Sequence, residues 1–422
     1  MTEKIYDKII NETCLKYVHE SGVEVRMLPM AGYSSAVAQF SAKFGSLDNA
    51  FSINGGAPYR VPDGTAHYLE HKLFESEEKD AFNLFAQTGA SCNAGTSFDY
   101  TMYYFGCAGN FRKNLEILLG FVQEPYFTPE NVEKERGIIG QEITMYRDNP
   151  SWRVFTNLLE GLYSANPVRN DIAGTVESIA EITEKTLYDC YNAYYNPANM
   201  YLCVAGNFDP DEVISVCEEK LKKRAPLDVK TVPFGEPPSV NQKRVELVMP
   251  VAKPLFEIGF KRPEISGQAQ VEEYILFNLL FDMLFGSVSE FFERMRDKEL
   301  INYQFADGVF SGRGFFIPFL RGESSDPDAV LAEVQSVLRA CRKTPPRREE
   351  FERLKRATYG SLVREFTSAD AVAGTLSEAA LRGVSPFAAI NAAASASYEK
   401  ALELLDGLDE ENACISIVKG DE

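Results

Sequence analysis

The sequence predicts an α+β protein of two domains with similar element order, and three observations carry that expectation. The chain has 422 residues, more than one hydrophobic core ordinarily organises. Segments with strand and helix periodicity follow one another in the same order twice. Between the two runs, Ala225 to Pro238 holds four prolines and no periodicity, which reads as an interdomain linker. The expected division is residues 1–225, a linker over 226–240, and residues 241–422.

Composition narrows the class. Hydrophobic residues make up 45% and charged residues 25%, as in ordinary globular proteins. The net charge of −19 argues against nucleic acid as a partner and suits basic ligands. The eight cysteines include no C-x-x-C pair, and several lie in apolar runs, as reduced thiols of a cytoplasmic protein do. The first residues lack the apolar run of a signal peptide. The greasiest stretch, Tyr274 to Gly286, is interrupted by Asn278 and Asp282 and is too short to span a bilayer. A cytoplasmic protein with no membrane association is expected.

Taken in order, Glu24–Pro29 and Ser35–Phe44 read as strands. Gly55, Gly56 and Pro58 mark a loop, and a helix begins near Thr65. A second helix, from about Lys79 to Gln87, stops at Gly89. Ser91–Cys107, rich in Tyr, Phe and Thr, reads as one or two strands, and Asn110–Glu124 as an amphipathic helix. Thr128 and Pro129 cap and open a helix that runs to Arg147 and ends before Asn149-Pro150. Helices over Trp152–Tyr163, Thr183–Tyr194 and Pro210–Arg224 are joined by a strand over Ala198–Ala205. After the linker come strands at 243–250 and 254–261, helices at 268–285 and 287–298, strands at 301–311 and 313–322, then helices from 326 onward. The halves share element order, not visible identity.

Chemistry concentrates in Gly64-Thr-Ala-His67-Tyr-Leu-Glu70-His71-Lys-Leu-Phe74. Two of the chain's three histidines are here, four residues apart, which on a helix places them one turn apart on one face. Two neutral imidazoles supply half of a tetrahedral zinc site. Glu70 lies beside them without needing to bind the metal, where a general base for an activated water would sit. The pattern, H-x-x-E-H, is the inverzincin motif. Paired histidines also occur as ordinary surface or core residues, so a third ligand must be found. A closed structural zinc site would take four protein ligands and have no use for Glu70.

The helix over Asn131–Thr144 offers Glu133, Glu135 and Glu142. Glu135 and Glu142 are seven apart, nearly one face. Ile138, Ile139 and Ile143 around Glu142 point to burial, and a buried carboxylate needs a partner such as a metal. Glu133 and Glu135 also sit beside Lys134 and Arg136, where solvated ion pairs are the ordinary reading, preferred for Glu133. The corresponding helix of the second half, Glu272–Asp282, has no histidine, so metal chemistry is expected in the first half alone.

His67, Glu70, His71, Glu135 and Glu142 together resemble the pattern of the M16 metallopeptidases, the family of pitrilysin, insulin-degrading enzyme and mitochondrial processing peptidase. Glu142 follows His71 by 71 residues. The resemblance spans essentially the whole chain and is nearest to small bacterial two-domain members. Gly89–Thr96 looks like the family's strand that binds substrate backbone by adding to a sheet edge, with Asn93 and Ala94 as substrate-binding positions. Tyr194–Leu202 with Gly206-Asn-Phe-Asp209 looks like its late N-domain strand. Arg296 and Tyr303 match its R-(x6)-Y segment, with Glu299 where many members have glycine. On spacing alone Arg296 reads as a surface arginine paired with Asp297 or Glu293.

The resemblance implies two domains, each a bent mixed β-sheet packed with α-helices (the LuxS/MPP-like metallohydrolase fold), forming half of a clamshell. It implies Zn²⁺ on His67, His71 and Glu142, with Glu70 as base and Glu135 orienting a ligand histidine. Arg296 would hold substrate and Tyr303 stabilise the oxyanion. The implied function is a zinc-dependent endopeptidase hydrolysing flexible peptides or unfolded protein segments through a water activated by zinc. The implied partners are the peptide substrate and a second copy or a related M16-like subunit, giving a homodimer or heterodimer. The alternative is a non-catalytic M16-like assembly or chaperone-like subunit.

Overall fold

Met200-Tyr-Leu-Cys-Val-Ala-Gly206 is apolar along almost its whole length, and every residue of it is buried in the computed structural model, which describes residues 2–76 and 80–421. A strand apolar on both sides belongs inside a sheet covered on both faces. That sheet is the frame of the first of two structural units, which comprises residues 1–143, 171–233 and 363–387.

Its strands are β1 (Glu3–Asp7), β2 (Glu12–Val18), β3 (Glu24–Pro29), β4 (Ala36–Ala42), β5 (Ala50–Ile53), β6 (Tyr59–Arg60), β7 (Ser91–Thr96), β8 (Thr101–Cys107), β9 (Met200–Gly206) and β10 (Val229–Thr231). Seven of them form one sheet in the order β1-β2-β3-β9-β4-β8-β7, and β10-β5-β6 form a small second one. In the large sheet only β3 and β9 run parallel. The helices in this stretch of chain are α1 (Thr65–Leu73), α2 (Ala81–Thr88), α3 (Phe111–Val122), α4 (Pro129–Arg147), α5 (Pro150–Leu162), α6 (Val176–Ala180), α7 (Glu184–Tyr194) and α8 (Pro210–Lys220).

Alternation along β9 divides the core. Leu202 and Val204 pack with Leu69, Leu118, Leu187 and Val213 of the helices on one face. Tyr201, Cys203 and Ala205 pack on the other face against Val372, Ala373, Leu376 and Ala380 of a helix far along the chain, Ala369–Arg382.

The second unit comprises residues 144–170, 234–362 and 388–422. Its strands are β11 (Arg244–Val248), β12 (Leu255–Phe260), β13 (Ala306–Gly312), β14 (Phe315–Glu323) and β15 (Ala413–Lys419). The later helices are α9 (Gly267–Phe285), α10 (Glu290–Asp297), α11 (Pro327–Lys343), α12 (Arg348–Glu365), α13 (Ala369–Arg382), α14 (Ala388–Ser395) and α15 (Tyr398–Glu403). The strand order β11-β15-β12-β14-β13 reproduces β3-β9-β4-β8-β7 in both order and direction: a parallel pair first, antiparallel pairs after it. Along the chain a helix pair stands between β4 and β7 in one set and between β12 and β13 in the other: α1 and α2, and α9 and α10. The repeat of element order is therefore a repeat of topology.

The units do not follow the expected division at the linker. The helix from the second half, α13, packs on β3, β4 and β9, while α5 from the first half packs on β11, β12 and β15. The apolar face of each helix decides where it goes, not its place in the chain. Gly161 of α5 approaches the sheet so closely that a Cβ there would lie 2.4 Å from Cys414 Sγ. The linker itself contains β10, which pairs with β5. Sequence reading also passed over β1, β2, β5, β6 and β15. The first two carry charged residues, β1 being mostly exposed and β2 mostly half-buried, so no clean alternation marks them. Of the helix expected over Lys79–Gln87, Lys79 lies outside the described residues, and α2 begins at Ala81 behind an Asp80 cap. Among the described residues no single helix is long and apolar enough to cross a membrane.

Candidate active site

Gly64 starts α1 with φ +91°, and a Cβ there would lie 2.4 Å from Ala173 O, so no other residue fits this entry to the helix. Thr65 Oγ1 donates to Pro62 O at 2.6 Å, holding the first turn. Ala66, Tyr68, Leu69 and Leu73 anchor α1 in the core. The Tyr68 hydroxyl donates to Val132 O and fastens α1 to α4. These contacts present His67, Glu70 and His71 toward the glutamates of α4.

Glu142 Oε1 lies 3.7 Å from His67 Nε2, and Glu142 Oε2 lies 3.4 Å from His71 Nε2. Ligand atoms about 2.1 Å from a tetrahedral zinc stand about 3.4 Å from one another. The three side chains offer donor atoms within 4.8 Å of each other, and an imidazole pair with one carboxylate is a zinc donor set. The observed spacing is too long for good hydrogen bonds and right for a shared ion, so the residues fit zinc. Glu142 is partly exposed rather than deeply buried: Ile139 and Ile143 are buried, but Ile138 is half exposed.

The surrounding groups hold this arrangement. Glu135 Oε1 is 3.0 Å from His71 Nδ1. Glu135 is also 3.8 Å from Lys72 Nζ, a fully buried ammonium that pairs with Glu75 as well. Glu133 is exposed and paired with Arg136, as the ordinary reading held. Burial alone would lower the His71 pKa, but the Glu135 and Glu142 carboxylates outweigh it and lift it to about 9. Burial, then the neighbouring His71, depress His67 to about 4. Burial pushes Glu70 upward, and a hydrogen bond from Thr96 opposes it. In Glu135, burial is outweighed by His71 and the lysines, and its pKa falls.

Glu70 and His71 open on a cleft of about 600 Å³ shared with Phe74, Phe82, Asn93 and Glu135. Asn93 and Ala94 lie on β7, one of the two edge strands of the large sheet. Asn93 Oδ1 accepts the Ala94 N–H at 2.9 Å.

The chain is similar to known proteins over most of its length. Residues 48–176 match the family description Insulinase (Peptidase family M16), and residues 181–358 match Peptidase M16 inactive domain. A curated relative, the uncharacterized zinc protease YmfH of Bacillus subtilis, is 38% identical over 92% of this chain and 92% of its own length. The chain belongs to peptidase family M16. A putative M16-like peptidase from Alicyclobacillus acidocaldarius superposes with a TM-score of 0.93 at 33% identity, covering 100% of this chain and 99% of that one. The first half of the periplasmic protease PqqL from Escherichia coli shares the fold, with a TM-score of 0.74 at 17% identity over 100% of this chain and 94% of that one.

In this M16 chain Arg296 and Tyr303 belong to the second unit. Arg296 Nη1 is 3.5 Å from the Tyr303 hydroxyl, and Nη2 pairs with Asp297 at 2.9 Å, the partner expected on spacing. Tyr303 is 79% exposed. Glu299 takes φ +58°, the conformation that glycine adopts freely, and the turn closes through Leu300 N to Met295 O at 3.0 Å. The departure from glycine thus leaves the turn intact. Sequence reasoning missed Thr96 and Lys72. Thr96 meets Glu70 only through the fold, and a lysine in the motif helix reads as a solvated charge.

Proposed function

We propose that this chain is a zinc-dependent endopeptidase acting on flexible peptides or unfolded protein segments. The observation that carries the proposal is the single Glu142 carboxylate spanning two Nε2 atoms at zinc-ligand spacing, beside Glu70 and a cleft edged by an open strand. Zinc held by His67, His71 and Glu142 would polarise the scissile carbonyl and lower the pKa of a water. Glu70 takes the proton of the attacking water and returns it to the leaving amine. Thr96 holds the Glu70 carboxylate, and Glu135 fixes the ring orientation of His71.

Substrate adds as a strand along β7, where its carbonyl replaces Asn93 Oδ1 as the partner of the Ala94 N–H. An extended strand is available only from peptide without fixed structure, which restricts substrates to flexible segments. Arg296 and Tyr303 serve as substrate clamp and oxyanion donor by family likeness. The chain works paired with a second copy or a related M16-like subunit, a proposal supported by its likeness to one half of a longer protease. The free, mostly buried thiols suit the reducing cytoplasm. The intact set of His67, Glu70, His71 and Glu142 favours catalysis over a non-catalytic assembly role. Incubating the zinc-loaded protein and its Glu70→Gln variant with a peptide library, with products read by mass spectrometry, tests the proposal. Products from the parent and not from the variant are expected, and no products from either would sink it.

A further inference from the structure

Lys72 follows His71 on α1, and its side chain is 0% exposed. A buried ammonium is costly unless opposite charges stand beside it. Among the described residues it forms two ion pairs, a close one with Glu75 and one of 3.8 Å between Nζ and Glu135 Oε2. Glu135 divides its carboxylate between two neighbours on α1: Oε1 is 3.0 Å from His71 Nδ1, and Oε2 faces Lys72. Glu75, whose side chain is 39% exposed, lies on the wall of the active-site cleft. A chain of contacts thus runs from the cleft wall through Lys72 and Glu135 to His71.

By charge alone Lys72 is out of place. The histidines next to it fit a doubly charged cation, and a fixed positive charge nearby repels such an ion, the more so where little water screens it. What Lys72 does hold is Glu135. The terminal torsion of a glutamate is broad, so a carboxylate held at one oxygen turns about the bond that carries it. Held at both oxygens, by His71 and by Lys72, it keeps its plane and the direction from which Oε1 meets the imidazole. A histidine that binds metal through Nε2 is oriented by the acceptor at its Nδ1.

We propose that Lys72 is a positioning residue of the metal centre: its buried ammonium fixes the Glu135 carboxylate, and through it the ring of His71. The inference rests on the proposed zinc site and adds to it a lysine that acts only through Glu135. Its expected effect runs against simple charge. Losing the lysine weakens metal binding although a repelling charge is removed.

The test is a double-substitution cycle on the full-length chain, with zinc affinity measured by chelator competition. Methionine fills the place of the lysine with an unbranched apolar chain, and Glu75 can turn to water, so Lys72→Met retains the fold; Lys72→Gln, with a polar end, is the second variant. Lys72→Met should weaken zinc binding about tenfold, the lower end of the loss for outer partners of a metal ligand, and Lys72→Gln somewhat less. In the Glu135→Gln background Lys72→Met should leave affinity unchanged or tighten it, because the carboxylate to be positioned is gone. With Co²⁺ in place of zinc, the visible absorption bands, which report ligand geometry, should shift with Lys72→Met alone and not further when it is added to Glu135→Gln. Affinity unchanged or raised by both Lys72 variants would overturn the proposal. So would an equal loss in both backgrounds, which would leave Lys72 with a role in the fold only. A parent that binds no zinc would sink the zinc site itself and this inference with it.

Discussion

Thr96 Oγ1 donates a hydrogen bond of 2.6 Å to Glu70 Oε2, joining the edge strand β7 to the proposed catalytic base on α1. Burial drives the Glu70 carboxyl toward its neutral form, and this bond favours the charged form that accepts a proton. Thr96→Val should therefore move the acid limb of the kcat/KM profile to higher pH. A hydrogen bond to a charged group is worth about 1.5–3 kcal/mol, so the rate on that limb should fall roughly 10–100-fold and recover at alkaline pH. Thr96→Ser should restore the profile, and zinc content should stay constant. An unmoved acid limb in Thr96→Val would remove Thr96 from the site.

Glu70→Gln preserves size and polarity and cannot take a proton. Turnover should fall by about 10²–10⁴ with zinc content retained, because Glu70 is not placed as a ligand. Full activity in this variant would mean that another group is the base.

The two glutamates of α4 should separate cleanly. Glu142→Gln should lose most zinc, while Glu135→Gln should keep it with an affinity weaker by roughly 10–100-fold. In the metal-free protein His71 titrates near 9, so zinc must displace its proton. Zinc affinity should therefore rise from pH 6 toward pH 9, measured by chelator competition, and Glu135→Gln should flatten that rise. Equal zinc loss in both variants would contradict the assignment.

Glu257 on β12 is buried, and burial raises its carboxyl pKa to about 7, with Arg321 opposing. The folded state thus holds a proton between about pH 4.5 and 7 that the unfolded state has released, so stability falls as pH rises through that window. Above it the penalty is on the order of 2–4 kcal/mol. Glu257→Gln should raise Tm at pH 8 and change it little at pH 4.5. A Tm lowered at both pH values would show that the carboxylate is stabilised by partners.

Residues 1–225 contain every proposed zinc ligand, but they lack α13, which covers Tyr201, Cys203 and Ala205. They also retain α5 without the β12 and β15 strands on which it packs. Each buried Val, Leu or Phe side chain is worth about 1.5–3 kcal/mol, so this fragment should melt well below the intact chain and bind a hydrophobic dye. A fragment as stable as the parent and dye-free would show that α13 contributes little.

By itself the sequence determined the fold class, the motif helix and which candidate metal donors share a helical face. His67 and His71 are tied by one helical turn, and Glu135 and Glu142 by two, so spacing along a regular helix already states which side chains share a face. The apolar run at β9 and the caps at Thr128, Pro129 and Gly89 are equally local. Only the tertiary structure decided that α5 and α13 cover each other's sheets, that Thr96 holds Glu70, and that Lys72 is buried against Glu135. Those pairings join residues separated by tens to hundreds of positions. They are set by which apolar faces find cover and which buried charges find partners, and the packed chain alone brings such groups within reach.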